Sequence, residues 1–285
     1  MTTRRNFVKT ASAGLLAIGA SPTLLGEELQ AAASTHVKKE DIFKVSMAGY
    51  SFYHFDIDQT LEMMRRVDVH YLCIKDFHLK FDATNEEIAA FFAKLKSNGV
   101  TGYAVGPIYM DTEAGIDRSF EYAKRVGVKL IVGVPNYELL PYVDKKVKEY
   151  DVKYAIHIHG PDNPLFPNAK DVWDNVKNLD RRIGICLDIG HNVRDGFDPV
   201  ADLKKYHTRV FDIHIKDVTA AGKEGRTCEM GRGIIDIPAF VKMLRKVKYD
   251  GACSLEMDYG KDMKDPLAGI AESIGYFKGV MDATE

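Results

Sequence analysis

From residue 42 onward the chain repeats one pattern: a short run rich in β-branched and other apolar residues, then an amphipathic segment. This alternation constrains the fold more than any other feature, because parallel strands need helix-length crossovers between them. Eight strand candidates are readable, at 43–49, 69–75, 101–106, 128–134, 153–159, 183–188, 210–216 and 252–257. They recur about every 30 residues, and eight such βα units in about 250 residues make a (β/α)8 TIM barrel of the α/β class. A doubly wound open sheet is the alternative, but the first βα turn has no G-x-G-x-x-G. No Pro-, Ser- or Gly-rich linker divides residues 34–285, which are therefore read as one domain.

The intervening segments carry their own start and stop signals. In 84–98, Thr84 and Glu87 have capping-box spacing, Ile88, Phe91, Phe92 and Leu95 recur at helical intervals, and Gly99 ends the run. Residues 112–126 stop at Gly127, 236–248 begin with Asp236 and Pro238, and the first helix, about 58–67, takes Asp58 as its cap. Cys73, Cys186, Cys228 and Cys253 stand far apart without a C-x-x-C pair, and three lie in apolar strand runs. Buried free thiols are expected there, not a zinc ribbon or a disulfide framework.

The first 33 residues read differently. Residues 3–9, Thr-Arg-Arg-Asn-Phe-Val-Lys, place paired arginines before an uncharged apolar stretch, Ala11–Gly26, and Ala31-Ala32-Ala33 offers an A-x-A-like cleavage site. The stretch is shorter than the roughly 20 residues that span a bilayer. This segment resembles a twin-arginine (Tat-type) signal peptide, covering 1–33, which implies export to the periplasm and no stable membrane anchor after cleavage. The plainer alternative is a buried amphipathic helix. Lys plus Arg (39) against Asp plus Glu (41) gives a net charge of −2, without the basic excess of a nucleic-acid footprint. Nucleic acid is therefore not an expected partner.

In a barrel of this kind the chemistry sits at the carboxyl ends of the strands. Strand five ends His157-Ile158-His159, strand six ends at Asp188 with His191 three residues on, strand seven carries His214 and Lys216, and strand eight carries Glu256. The two-residue period of a strand puts His157 with His159, and His214 with Lys216, on one face. Each residue alone has an ordinary use: a packed, hydrogen-bonded histidine, a helix cap at Asp188, a lysine pair for Glu256. Together they converge on one mouth, where isolated buried charges are costly. One divalent cation would satisfy them together, and two imidazoles with two carboxylates suit Mn²⁺, Co²⁺, Zn²⁺ or Fe²⁺ better than Ca²⁺.

At these residues the sequence resembles the xylose-isomerase-like barrels, which include sugar isomerases, ketose 3-epimerases and apurinic endonucleases. The resemblance rests on Leu187-Asp188-Ile189-Gly190-His191, Ile213-His214-Ile215-Lys216-Asp217, Gly231-Arg232-Gly233-Ile234-Ile235-Asp236 and Ser254-Leu255-Glu256. In the sugar-acting members Glu, Asp, His and Glu from strands five to eight hold the metal. The last three transfer to Asp188, His214 and Glu256, whereas Ala155-Ile156-His157-Ile158-His159-Gly160 puts His157 where the family usually has Glu. The epimerases use the carboxylates of strands five and eight as an acid–base pair on opposite faces of the substrate, and here one is missing.

The proton-transfer candidates are then Glu256, His159, Lys216 and Lys75. The resemblance implies that His191 binds a substrate oxygen; His78, beside Lys75, and Arg232 are further substrate-binding candidates. Tyr50, Phe52, Tyr109, Tyr137 and Trp173 fall in βα loops, as sugar-stacking or simple packing residues. The expected function is a divalent-metal-dependent sugar isomerase or epimerase working through an enediolate on a small sugar or keto-sugar. The alternatives are an exported 3-keto-glycoside 1,2-lyase and a non-catalytic sugar-binding protein. An endonuclease is disfavoured by the missing basic track, and a homo-oligomer is compatible with the sequence.

Overall fold

The computed structural model describes residues 41–258 and 265–284. Residues 1–33, read above as a signal for export, lie outside the described residues. Eight parallel strands close on themselves: β1 (Lys44–Ala48), β2 (Tyr71–Ile74), β3 (Thr101–Met110), β4 (Leu130–Pro135), β5 (Lys153–His157), β6 (Ile183–Asp188), β7 (Val210–Ile215) and β8 (Ala252–Leu255). Sequence neighbours pair in order, and β8 returns to β1 through Lys44↔Ala252 to Met47↔Leu255. With helices between the strands, this is the (β/α)8 barrel expected from the alternation.

Two strand ends differ from expectation in ways that shape the site. β3 runs to Met110 instead of 106, held by pairing of Ile108 to Met110 with Gly133 to Pro135, and this carries Tyr109 to the rim. β5 stops at His157; His159 already belongs to a loop, where its backbone N–H donates to Phe166 O at 3.2 Å.

The helices between strands are α1 (Ile57–Arg66), α2 (Asn85–Ser97), α3 (Glu113–Val126), α4 (Leu140–Tyr150), α5 (Ala169–Val176), α6 (Ile189–Arg194), α7 (Pro199–Tyr206), α8 (Ile237–Lys246) and α9 (Leu267–Ala283). Thr84 and Glu87 form the reciprocal capping box that their spacing implies. Asp236 caps α8, with Pro238 in its first turn, and Gly127 ends α3 in the left-handed region at φ 77°. The first helix departs by one cap: Asp56, not Asp58, starts α1, because Gln59 three residues on returns its side chain to the Asp56 N–H. Asp58 stands in the first turn and pairs with Lys94 at 2.7 Å.

Apolar packing falls into two regions. A small cluster, Cys73, Ala104, Leu130, Val132, Ala155 and Cys186, fills the barrel interior beside Tyr103 and Phe211. The larger cluster joins the outer strand faces to the helices; there Phe120 of α3 stacks on Tyr154 of β5, ring planes 4° apart. Cys73, Cys186 and Cys253 are buried and free, as their apolar runs require.

Candidate metal centre and active site

Strand register brings the mouth residues to one level. Asp188 of β6 lies beside His214 of β7, His214 beside Ser254 of β8, and the backbone N–H of Glu256 bonds to Ile215 O. His157 ends β5 opposite Cys186. One donor atom from each of His157, Asp188, His214 and Glu256 lies within 4.8 Å of all the others, and all four residues are buried. His157 Nε2 is 2.9 Å from His214 Nδ1, which is 2.5 Å from Glu256 Oε2; His157 Nε2 is 3.7 Å from both Asp188 Oδ2 and Glu256 Oε2.

These spacings test whether a metal ion fits. His214 Nδ1 is crowded from two sides, and one ring hydrogen serves only one of those contacts, so at least one other pair of lone pairs faces inward uncompensated. A cation among the four atoms satisfies all of them, and two imidazoles with two carboxylates are a donor set that first-row divalent ions accept. His157, Cys186 and His214 form a second grouping around the same atoms. Burial holds the Cys186 thiol well above its ordinary range, which leaves the four-residue set as the better ligand field.

The charges around the cluster are fixed by its burial. Lys216 Nζ is 2.9 Å from Asp188 Oδ2 and 3.4 Å from Glu256 Oε2. Burial pulls the Lys216 ammonium down, but Asp188 and Glu256 outweigh it and keep it charged, so it supplies a proton or a positive field and does not act as a base. Burial pushes Glu256 up, and Lys216 and His214 overcome that and hold it as a carboxylate. Burial, aided by His159, keeps the His157 ring neutral, the state a ligand needs. Asp188 serves twice: Oδ1 accepts the His191 N–H and caps α6, while Oδ2 stays in the cluster.

A ring of further polar residues faces the same mouth. The His159 ring lies 4.5 Å from His157 and 5.8 Å from His191, and His159 Nε2 is 2.6 Å from Tyr109 Oη. Burial raises the Tyr50 hydroxyl, with the charges of Asp258 and Glu256 adding to it, and its ring lies 5.9 Å from that of Tyr53. The other sequence candidates have partners of their own. Lys75 Nζ donates to Pro107 O at 2.6 Å, and His78 Nε2 lies 3.1 Å from Phe55 O and 3.2 Å from Thr60 Oγ1. Arg232 forms an exposed pair with Glu272. Phe52 is in the core, Trp173 packs near Tyr206, and Tyr137 donates to Asp171.

Two residues that the sequence did not single out organise this region. Asp217, fully buried, accepts the backbone N–H groups of Val218, Gly231, Gly233 and Ile235 at 2.9–3.2 Å. The glycines are needed for that loop: Gly231 has φ 88°, and a Cβ on Gly233 would come 2.1 Å from Asp217 Oδ1. The spacing Lys216-Asp217 followed by Gly-x-Gly was the available signal. The second is Asp212, buried two residues before His214, whose carboxyl burial pushes up to about 6. The two-residue strand period places it on the same inward face as His214.

A profile of the xylose isomerase-like TIM barrel matches residues 67–280. The chain belongs to the xylose isomerase-like TIM barrel family. Among family-like structures, an uncharacterized protein from Parabacteroides distasonis is 26% identical, with a TM-score of 0.66 over 84% of this chain and 99% of that one. The zinc-bound IolI protein is 18% identical, with a TM-score of 0.66 over 85% of this chain and 98% of its own, a likeness of fold. An inosose dehydratase of Clostridium beijerinckii is 27% identical over 109 residues, which span 33% of this chain and 37% of that relative. This xylose isomerase-like chain thus matches little more than a third of the curated relative's length.

Proposed function

We propose that the protein is a divalent-metal-dependent sugar-modifying enzyme of the isomerase or epimerase type, removing a proton beside the carbonyl of a sugar or keto-sugar. The observation that carries the reading is the convergence of His157, Asp188, His214 and Glu256 within 4.8 Å. A divalent ion such as Mn²⁺, Co²⁺, Zn²⁺ or Fe²⁺, held by these four, would polarise the carbonyl and adjacent hydroxyl oxygens of a sugar and lower the energy of the carbanion between them. The zinc in the IolI structure is consistent with this choice. Glu256 meets the cluster through Oε2 alone in the contacts above, so Oε1 is the atom assigned to take the proton. Lys216 keeps that carboxylate ionised. His159, with Tyr109 behind it, and His191 supply neutral hydrogen-bonding groups to substrate oxygens.

One observation favours elimination as a second reading. His157 stands where a second acid–base carboxylate would be needed for stereoinversion. Its Nε2 is turned into the cluster. Elimination asks less of that face: the C–H bond breaks, its electrons form the C=C bond, and the leaving oxygen departs with a proton from His159, Tyr109 or water. The name of the inosose dehydratase relative points to the same class. The discriminating experiment supplies Mn²⁺ or Co²⁺ to the protein in D₂O with free ketohexoses in one tube and a 3-keto-glycoside in another. Interconversion of the ketohexoses supports the isomerase; aglycone release, lost on Glu256→Gln and on chelation, supports the lyase. No reaction and no deuterium uptake beside the carbonyl would leave a sugar-binding protein. We propose further that residues 1–33 direct export to the periplasm, from the Arg4-Arg5 pair before Ala11–Gly26.

A further inference from the structure

Beneath the four converging atoms the barrel interior holds a second polar layer that the chemistry above does not use. Asp212 of β7 is fully buried, and its carboxylate accepts from Tyr103 Oη at 3.0 Å and 3.2 Å, with Cys186 Sγ 3.9 Å from Oδ2. Tyr103 Oη lies 2.6 Å from Ser254 Oγ, which donates to Ser46 Oγ at 3.0 Å, and Ser46 donates to Tyr71 O. A buried carboxylate is costly unless something is gained from its field.

What lies in that field is the far side of His214. The ring presents Nδ1 to the cluster. Its Nε2 is buried without a hydrogen-bond partner and faces Asp212 Oδ2 at 3.7 Å. A lone pair on Nε2 would be repelled by the carboxylate, whereas an N–H there is attracted. We infer that Asp212 is a positioning residue for His214: once Nδ1 gives up its hydrogen to bind a divalent ion, the hydrogen that remains is on Nε2, and the Asp212 carboxylate faces it and holds the ring in that orientation. Tyr103, anchored through Ser254 and Ser46, aims the carboxylate. The inference rests on the metal reading of the cluster, and it assigns a role to a residue two positions away from the ligand.

The test compares wild type with Asp212→Asn, which keeps the shape and removes the charge. The affinity of the metal-free protein for Co²⁺, measured by competition with a chromogenic chelator, should fall about 10–100-fold. The visible spectrum of the bound Co²⁺ should shift, while thermal unfolding of the metal-free protein changes little. Tyr103→Phe should give a smaller fall in the same direction and Ser46→Ala none; if Asp212→Asn fails to fold, Tyr103→Phe carries the same readings. ¹⁵N NMR of the histidine-labelled, Zn²⁺-loaded protein should find the His214 Nε2–H signal shifted between wild type and Asp212→Asn. Wild-type cobalt affinity, an unaltered cobalt spectrum and an unshifted Nε2–H signal in the variant would overturn the inference. A wild-type protein that takes up no divalent ion overturns the metal reading, and the role of Asp212 with it, whereas normal uptake by both proteins overturns the role of Asp212 alone.

Discussion

Asp188 shows how much a single side chain carries here, because one oxygen caps α6 and the other belongs to the cluster with His157, His214 and Glu256. Removing each ligand should therefore give different signatures. His157→Ala should abolish most divalent-ion uptake with a small change in metal-free stability, whereas Asp188→Ala should lower uptake and also cost about 1 kcal/mol through the lost cap; elemental analysis and thermal unfolding measure the two separately. His78 makes a second residue-scale prediction. Burial pushes its ring from the ordinary 6.5 down to about 4, against the pull of the Phe55 carbonyl. The unfolded chain takes up a proton as pH falls through 6.5, while the folded ring does not until about 4, so stability should fall across that window. The loss is on the order of 3 kcal/mol and should be absent in His78→Gln; parallel pH profiles of urea unfolding for the two proteins would contradict it. The convergence of His157, Asp188, His214 and Glu256 was legible in the sequence because they lie at strand ends. The partners of His78 and Arg232 were not, because Thr60 and Glu272 come from distant elements and no local pattern announces them.

At the scale of elements, boundaries followed local chemistry wherever that chemistry was unique. Thr84, Gly127 and Asp236 behave as their positions imply, whereas Asp56 and Asp58 competed for one cap and the reciprocal bond to Gln59 decided it. The extension of β3 to Met110 depends on pairing with β4, which no single strand reveals. The loop from Met230 to Ile235 is the clearest element whose shape depends on one distant side chain, the Asp217 carboxylate with its four N–H donors. Asp217→Asn replaces an ionic acceptor with a neutral one and should weaken the loop by about 2 kcal/mol. Amide hydrogen exchange at Gly231, Gly233 and Ile235 should then quicken about thirtyfold, with the barrel strands unchanged. Unchanged exchange at those three amides would show that other contacts shape the loop.

For the whole molecule, the repeat of about 30 residues was enough to foresee a closed barrel, and closure is what brings β5 to β8 around one mouth. The buried polar layer of Ser46, Tyr103, Asp212 and Ser254 was hidden, because it joins four strands at a level that only closure creates. The export proposal is tested on the full chain: replacing Arg4 and Arg5 by lysine should leave precursor in the cytoplasm, and a wild-type chain that stays cytoplasmic would contradict it. The central claim is that one divalent ion sits among four side chains from four strands. Crystals of the metal-free protein soaked in Co²⁺, with data collected on both sides of the cobalt absorption edge, test it most directly. The account predicts one anomalous peak, bounded by His157 Nε2, Asp188 Oδ2, His214 Nδ1 and Glu256 Oε2. No peak there, or a site where these four side chains turn apart, would contradict it.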